Sequence, residues 1–445
     1  MRTMRVRLLA VVLGAIFPAT AARAQDSYRL RESFPIGYRY QVSSRSELSG
    51  SLTVPPNMIK DGQPKTLALS GGSTIEYAER VLAADAGGSV QKTLRVYGRL
   101  DYRRKVGEQT QENSVRPAVR RMVVMRLQPV EVPFSPDGPM TWGEIDMVRT
   151  DIFTPALRGL LPEQDVRVGE TWAAGREAVQ ELTDLEQVTD GQLRCRLHGT
   201  VTQNGRRYAH VTFTGTVSGV SQDGPNRQEL DGLYYFDLDA QTLSYLSVHG
   251  TSFILDKDGK TMGRIEGRFV LTRRADPQLR EVSDEAIRGL TLEPNEANTE
   301  LLFHEPALGV QFVYPRRWTV RKADARQLTL DEPGGGGLLI TLEPPSQTPS
   351  GPQFYAEVGT WLQKRSARVL RTEPPRRVPA RPEEIDHFRY EVELDKQHVV
   401  LDYYVSRQPE GGAMFAARLP AKEAATLQRD VERIARSLKL IPPKR

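Results

Sequence analysis

The chain has 445 residues, of which 26% are charged, with one cysteine and a formal net charge of +5 at pH 7. Acidic residues alternate with basic ones along most of it, so the charge does not form the clustered basic surface that nucleic acids require, and no nucleic-acid partner is predicted. A single cysteine, Cys195, excludes an internal disulfide. A chain of this length must then rely on packed cores, which predicts two or more domains.

Residues 1–24 have the pattern of a secretory signal peptide. Three arginines lie within the first seven residues, residues 8–17 are apolar, and an A-x-A sequence ends the segment at Ala24. The apolar run is too short to cross a membrane, so no transmembrane anchor is predicted. We expect cleavage after Ala24 and an exported protein, periplasmic or extracellular. Removal of the segment's four arginines lowers the formal charge from +5 to +1.

Residues 25–275 are predicted to form a curved antiparallel β domain. In the stretch 36–54, even positions are apolar apart from Ser44, Ser46 and Gly50, which is the period of a one-sided strand. A straight strand of this length would overshoot a domain of this size, so we expect a bend at Gly50; a hairpin within 42–47 is the alternative. Similar alternation recurs at 67–81, at Leu94, Val96, Leu100 and Tyr102, and through 191–272.

Helices are scarce before residue 275. The clearest one is predicted at 154–162, where Thr154 is the cap and Pro155 the first helical residue, and residues 116–124 are a weaker candidate. Helices this short are too little cover for so many one-sided strands. The sheet is therefore expected to curl on itself into a half-barrel.

The hairpin around Asn204 and Gly205 tests the strand register. A two-residue turn would place Cys195 opposite a threonine, whereas a three-residue loop at 203–205 places Cys195 opposite Phe213 and Leu197 opposite Val211. Matching of the apolar faces favours the three-residue loop.

The same register places His198 opposite His210 on the polar face of the sheet. Two imidazoles at this spacing are suited to a metal ion, but no third ligand is evident in the sequence. A solvated polar face is the favoured interpretation, and no metal site is predicted.

Residues 276–300 lose the alternation and are interpreted as a linker with one short helix near 283–290. Residues 301–445 combine strands with two amphipathic helices, near 351–362 and 427–438, and a proline-rich loop at 372–382. The predicted fold class is α+β, with a curved antiparallel β half-barrel followed by an α/β/α domain.

Two resemblances extend this interpretation. Residues 301–445 resemble the PsbP-like and DcrB-like α/β/α family, through the stretch GVQFVYPRRW at 309–318 and the final helix VERIARSLKL at 431–440. This resemblance implies a non-catalytic accessory or assembly module. Residues 25–275 resemble the LolA-type half-barrel lipoprotein carriers in the order of their elements, with a long first strand, a meander and a short helical interruption.

Sequence motifs of catalysis are isolated. Ser89 and Lys92 have S-x-x-K spacing without its companion motifs, residues 334–337 are a glycine run without a phosphate-loop lysine, Asp256 and Asp258 lack further calcium ligands, and His304 lacks a second zinc-ligating histidine. We therefore predict no catalytic residue, no metal and no cofactor, and that the protein is not an enzyme. A hydrolase with an unrecognised site is the alternative.

Aromatic residues on the predicted sheet are the candidate ligand-binding residues: Tyr38, Tyr40, Tyr77, Tyr102, Tyr245, Phe253 and Phe269. They are suited to lining an apolar cavity, although aromatic residues of a sheet more often form an ordinary core. The predicted function is that of an exported non-catalytic binding or accessory protein of the cell envelope. Its partner would be a lipid or other apolar ligand, or an envelope protein.

Overall fold

The computed structural model describes residues 27–54, 63, 65–127, 130–131, 133–222, 224–324, 326–379 and 385–441. The predicted signal peptide at 1–24 lies outside this range. Within the described residues, no helix is both long enough and apolar enough to cross a membrane.

The first fourteen strands precede residue 276: β1 (Ser27–Tyr28), β2 (Arg39–Val54), β3 (Lys65–Ala84), β4 (Val90–Val106), β5 (Gln109–Ser114), β6 (Arg121–Leu127), β7 (Val130–Glu131), β8 (Val166–Arg167), β9 (Thr171–Ala173), β10 (Gln187–Gln203), β11 (Arg206–Ser221), β12 (Gly224–Asp237), β13 (Thr242–Leu255) and β14 (Thr261–Ala275). Twelve of them form one sheet in the order β7-β6-β4-β3-β2-β14-β13-β12-β11-β10-β9, with β5 beside β4. Strands β1 and β8 form a separate pair. The predicted meander is confirmed, and β2 runs through 42–47 without a hairpin.

The remaining strands are β15 (Leu301–Glu305), β16 (Val310–Tyr314), β17 (Thr319–Ala323), β18 (Gln327–Asp331), β19 (Gly337–Glu343), β20 (Arg368–Val378), β21 (Ile385–Leu394), β22 (Gln397–Gln408), β23 (Gly411–Pro420) and β24 (Lys439–Leu440). They form a three-stranded sheet, β15-β16-β24, and a seven-stranded sheet, β17-β18-β19-β23-β22-β21-β20. Most of the predicted proline-rich loop is therefore edge strand β20, which accommodates its prolines with a bulge between Glu373 and Arg376.

The helices of the described residues are α1 (Trp142–Arg149), α2 (Arg176–Thr183), α3 (Asp284–Ile287), α4 (Gly351–Lys364) and α5 (Ala424–Ser437), with 3₁₀ helices at Pro117–Val119, Thr154–Leu160 and Pro345–Gln347. The helix predicted from Thr154 and Pro155 is thus a 3₁₀ helix. Helix α1 was missed by the periodicity, although Thr141 and Glu144 form a capping box at its start.

The predicted fold class, α+β with a half-barrel and an α/β/α domain, is wrong. Of the described residues, 56% lie in strands and 16% in helices, and these strands form open antiparallel sheets with no closed barrel. Residues 301–445 contain two helices of 14 residues each, α4 and α5, together with a seven-stranded and a three-stranded sheet. The chain is predominantly β.

A bulge corrects the predicted alternation of β4. Arg99 pairs with Glu76 and Tyr97 with Tyr77, so Gly98 is an extra residue that reverses the faces. Leu100 and Tyr102 follow the prediction and face the helices that precede β10. Leu94 and Val96, which precede the bulge in the sequence, lie on the opposite face of the strand from Leu100 and Tyr102. This contradicts the single even-numbered apolar face expected from the sequence.

A bulge also resolves the hairpin at 204–205. Gln203 pairs with Arg206, so the connection is a two-residue turn in which Asn204 and Gly205 have φ of 51° and 76°. A register shift between Leu197 and Gly199 then restores the faces, and Cys195 pairs with Phe213 as predicted. The predicted pairing is confirmed, but its predicted cause, a three-residue loop, is wrong.

The connector at 276–300 packs against the β3, β4 and β6 surface. Leu279 and Val282 are buried in a cluster with Leu94, Val123 and Phe134. Basic side chains from both flanking regions bond to it: Arg39, Arg80, Lys92, Arg316 and Arg433. Whether residues 25–275 and 301–445 fold independently stays a prediction.

Candidate functional site: the inner face of the twelve-stranded sheet

The inner face of the twelve-stranded sheet is the face against which α1, α2 and the 3₁₀ helix at Thr154–Leu160 pack. Side chains of paired residues lie on the same face, so the register divides this face into rows that cross the strands. One row is buried over its whole width and belongs to the main core: Leu100, Ile75, Ser44, Leu271, Leu246, Tyr234, Val211 and Leu197. The covered rows are this row and the rows that lie beyond it toward Tyr40 and Tyr77.

An ion network lies at the far end of the covered rows. Arg95, which is 1% exposed, donates from Nε to Glu79 at 2.8 Å and from Nη1 to Asp151 at 2.8 Å. Tyr97 also donates its hydroxyl to Asp151 at 3.3 Å. Burial raises the pKa of Asp151 to about 7, against the opposing effect of Arg95 and with a further raising effect of Glu79. This network ties the loop after α1 to the sheet.

A third buried ion pair lies beside the two of Arg95. Arg273 on β14 pairs with Glu32 and donates to the carbonyl of Thr154 at 3.2 Å. Thr154 in turn donates its hydroxyl to Tyr40 at 3.2 Å. Three buried ion pairs, two of Arg95 and one of Arg273, therefore occupy this end of the covered rows.

The row next to the core is the boundary of the cover. It contains Tyr102, Ser73, Ser46, Phe269 and Val248 in register. Tyr102 and Phe269 are partly exposed and pack against the main core, and Ser46 hydrogen-bonds Ser73 at 2.8 Å.

Beyond this boundary lie the open rows. Their apolar side chains on β2, β3, β4, β13 and β14 are partly exposed, apart from buried Leu69, and belong to none of the three buried clusters: Leu48, Leu52, Val54, Leu67, Leu69, Val106, Ile254 and Ile265. Among the described residues, the helical cover reaches this end over β11 and β12, where Gln228 donates to the carbonyl of Thr183 at 2.6 Å. The open rows thus form an apolar surface on the described part of the chain.

Glycines dominate the first of the open rows. Leu48 pairs with Gly71 on one side and Gly267 on the other, and Gly267 pairs with Gly250. A Cβ at Gly250 would approach Leu230 to 2.5 Å, whereas a Cβ at Gly267 would have only the Glu47 carbonyl within reach, at 3.7 Å. The surface is therefore depressed at Gly267, between the wall of Phe269 and that of Ile265.

The structure separates the seven predicted ligand-binding residues. Tyr40 and Tyr77 are buried in the covered rows, where burial raises the pKa of both hydroxyls, and Tyr38 packs beside Tyr40 with ring centroids 5.5 Å apart. Tyr102 and Phe269 border the open rows.

Tyr245 and Phe253 lie on the opposite, outer face of the sheet. There the ring centroids of Tyr245 and Tyr235 are 5.8 Å apart, and the Arg227 guanidinium lies over the Phe253 ring. Only Tyr102 and Phe269 are thus brought together with the open rows. The role of all seven in binding stays a prediction.

The two histidines do meet on the outer face. Their ring centroids are 5.4 Å apart, although the bulge makes Gly199 the backbone partner of His210. His198 Nε2 lies 2.7 Å from the Thr212 hydroxyl, and burial together with His198 lowers the pKa of His210. Within the described residues, no group of three or more ligating side chains forms a metal site.

Two of the isolated motifs have structural roles. Lys92 pairs with Glu293 of the connector rather than with Ser89. Asp256 accepts hydrogen bonds from the backbone of Asp258 and Lys260, which is turn chemistry.

Comparison with known proteins gives no family: no family model and no curated protein matches the chain. Three similar solved structures are cyanobacterial PsbP from Synechocystis sp. PCC 6803 (13% identity, 32% of this chain and 92% of that chain, TM-score 0.25), the Ran-binding protein Mog1p of Saccharomyces cerevisiae (10%, 32% and 95%, 0.24) and lipovitellin (9%, 56% and 27%, 0.30). All three TM-scores are below 0.5, so these matches establish no fold for this chain, and a LolA-type half-barrel is not shown.

Proposed function

We propose that the chain is an exported, non-catalytic binding protein of the cell envelope that holds an apolar ligand on the open rows. The observation that carries this proposal is the partly exposed apolar surface beyond Tyr102 and Phe269. Along the same strands, nearly every apolar residue of the covered rows is buried. Apolar surface gathered on one face of a sheet is a typical binding site for apolar ligands.

The direct test is binding of the neutral apolar dye Nile red to the mature protein. We expect its fluorescence to rise with the wild-type chain. In Gly267→Leu a side chain would fill the depression without meeting the backbone closely, so dye binding should be lost while the fold is kept.

Thr272→Leu is the matched control. It adds a leucine to the outer face of the same strand, where Thr272 pairs with Tyr245, and it should bind the dye as the wild type does. Equal binding by Gly267→Leu and Thr272→Leu, or no binding by the wild type, would contradict the proposal.

A protein partner is the second candidate. Trp361, Val369 and Leu370 are 41%, 44% and 45% exposed around β20, one of the two edge strands of the described seven-stranded sheet. Edge strands with exposed apolar residues are common docking sites for other chains. A photo-crosslinking residue in place of Leu370 should then give one discrete adduct in intact envelopes, and the same residue in place of Thr272 should give none.

A further inference from the structure

The charges of the two sheet faces differ near the open rows. On the outer face, acidic and basic residues of β2, β4, β5 and β14 pair with one another: Arg45 with Glu47, Arg99 with Asp101, Arg103 with Glu112, and Arg264 with Glu266. On the inner face, the open and boundary rows contain two basic residues, Arg104 and Lys65, and no acidic one among the residues described.

The first of the open rows, which contains Gly71, Gly267 and Gly250, is called the glycine row. Arg104 lies at one end of it. It pairs with Gly71 on β3 and with Gln111 on β5, so its neighbours on this face carry no charge. It is exposed and forms no salt bridge with any residue that the structure describes. Lys65 is exposed in the same way at the far end of the open rows, opposite Val54.

From this arrangement we propose, on the basis of the function proposed above, that the ligand is an anionic amphiphile. Its carboxylate or phosphate head group is held by Arg104, and its apolar chain lies over the glycine row. An arginine guanidinium binds either head group through two parallel hydrogen bonds, and such bonds are stronger beside an apolar surface than in water.

The dimensions of the row suit a single long chain. The row is open over four strands, from β4 through β3 and β2 to β14, because Leu230 lies over Gly250 on β13. Neighbouring strands lie about 4.8 Å apart, so these four strands span roughly 14 Å. Tyr102 on β4, Leu69 on β3, and Phe269 and Ile265 on β14 flank the row and would contact such a chain.

The test uses two ligands that differ only in the head group, palmitate and hexadecanol, each displacing Nile red from the full mature chain. We expect palmitate to displace the dye at a concentration at least about tenfold lower than hexadecanol, as expected for a charge-assisted hydrogen bond. In Arg104→Gln this advantage should disappear, while hexadecanol and Nile red bind as before.

Arg103→Gln is the matched control, because Arg103 is the adjacent arginine, faces outward and pairs with Glu112. It should keep the preference for palmitate. Equal displacement by palmitate and hexadecanol, or equal loss in Arg103→Gln and Arg104→Gln, would overturn the anionic ligand but leave an apolar ligand in place.

Two other outcomes would overturn the proposal together with the function on which it rests. The first is that the wild type binds none of the three probes. The second is that light scattering shows a dimer that Gly267→Leu dissociates and Thr272→Leu does not, which would assign the open rows to a second copy of the chain.

Discussion

The covered rows and the open rows lie on the same strands and on the same face, yet they have different surroundings. Leu271 and Ile265 illustrate this, since both are on the inner face of β14, six residues apart. Leu271 lies in the core under the helices, whereas Ile265 is partly exposed outside every buried cluster. The alternation of a strand thus predicts which side chains share a face, but not what covers that face.

Within the covered rows, substitution of Arg95 should cause the largest loss of stability. Arg95→Met would leave Glu79 and Asp151 buried without their cation, and we expect a loss of about 3–5 kcal/mol in the free energy of unfolding. Chemical denaturation measures this loss. Arg99→Met is the control, since Arg99 is exposed on the outer face and should cost less than about 1 kcal/mol.

The same network should make stability depend on pH. Burial raises the pKa of Asp151 from 3.8 to about 7, so protonated Asp151 stabilises the folded chain fully below about pH 4. This contribution is lost as the pH rises through about 7 and amounts to about 2–4 kcal/mol. The loss of unfolding free energy between pH 4.5 and 7.5 should be smaller in Asp151→Asn than in the wild type. An unchanged pH dependence would show that Asp151 does not titrate in this range.

Truncation of a side chain to alanine should destabilise the protein by different amounts in the two regions of β14. Leu271→Ala creates a cavity in the core and should cost about 2–5 kcal/mol, whereas Ile265→Ala should cost about 1 kcal/mol because its side chain is already partly exposed. Thermal unfolding of the two variants gives the comparison. Equal costs would mean that the open rows are as well packed as the core.

The smallest effect on stability is expected at Gly267. Gly267→Leu should change the free energy of unfolding by no more than about 1 kcal/mol, because a Cβ at this position meets only the Glu47 carbonyl at 3.7 Å. Gly50→Ala is the contrasting variant, since its Cβ would lie 2.1 Å from the Arg264 carbonyl. It should be clearly less stable than Gly267→Leu.

Sequence periodicity predicted much of the sheet. The alternation in β2 and the pairing of Cys195 with Phe213 were both correct, because burial on one face imposes period two. The face of Leu94 and Val96 was not predictable, since the bulge at Gly98 has no sequence mark that distinguishes it from an ordinary strand glycine. A single-residue insertion of this kind gives the residues before it and after it opposite alternations.

Less of the site was predictable. Arg95 and Glu79 are charged residues in strands with mixed patterns, and only the bulge and the helical cover bring them together with Asp151. The cover itself was underestimated, because α1 and α2, of 8 residues each, were not recognised in the sequence. The capping box of Thr141 and Glu144 was the available signal. The open rows depend on where this cover ends, which no local pattern encodes.

Maleimide labelling of single cysteines tests the difference between the two regions and the proposed binding together. Cys195 is buried and burial raises its thiol pKa to about 12, so the wild-type chain should be unreactive and provide the background. Ile265→Cys should react in the native protein and be protected by palmitate, whereas Leu271→Cys should be unreactive with or without palmitate. If Ile265→Cys is unreactive without ligand, or reacts equally fast with palmitate present, the open rows are not the ligand-binding surface.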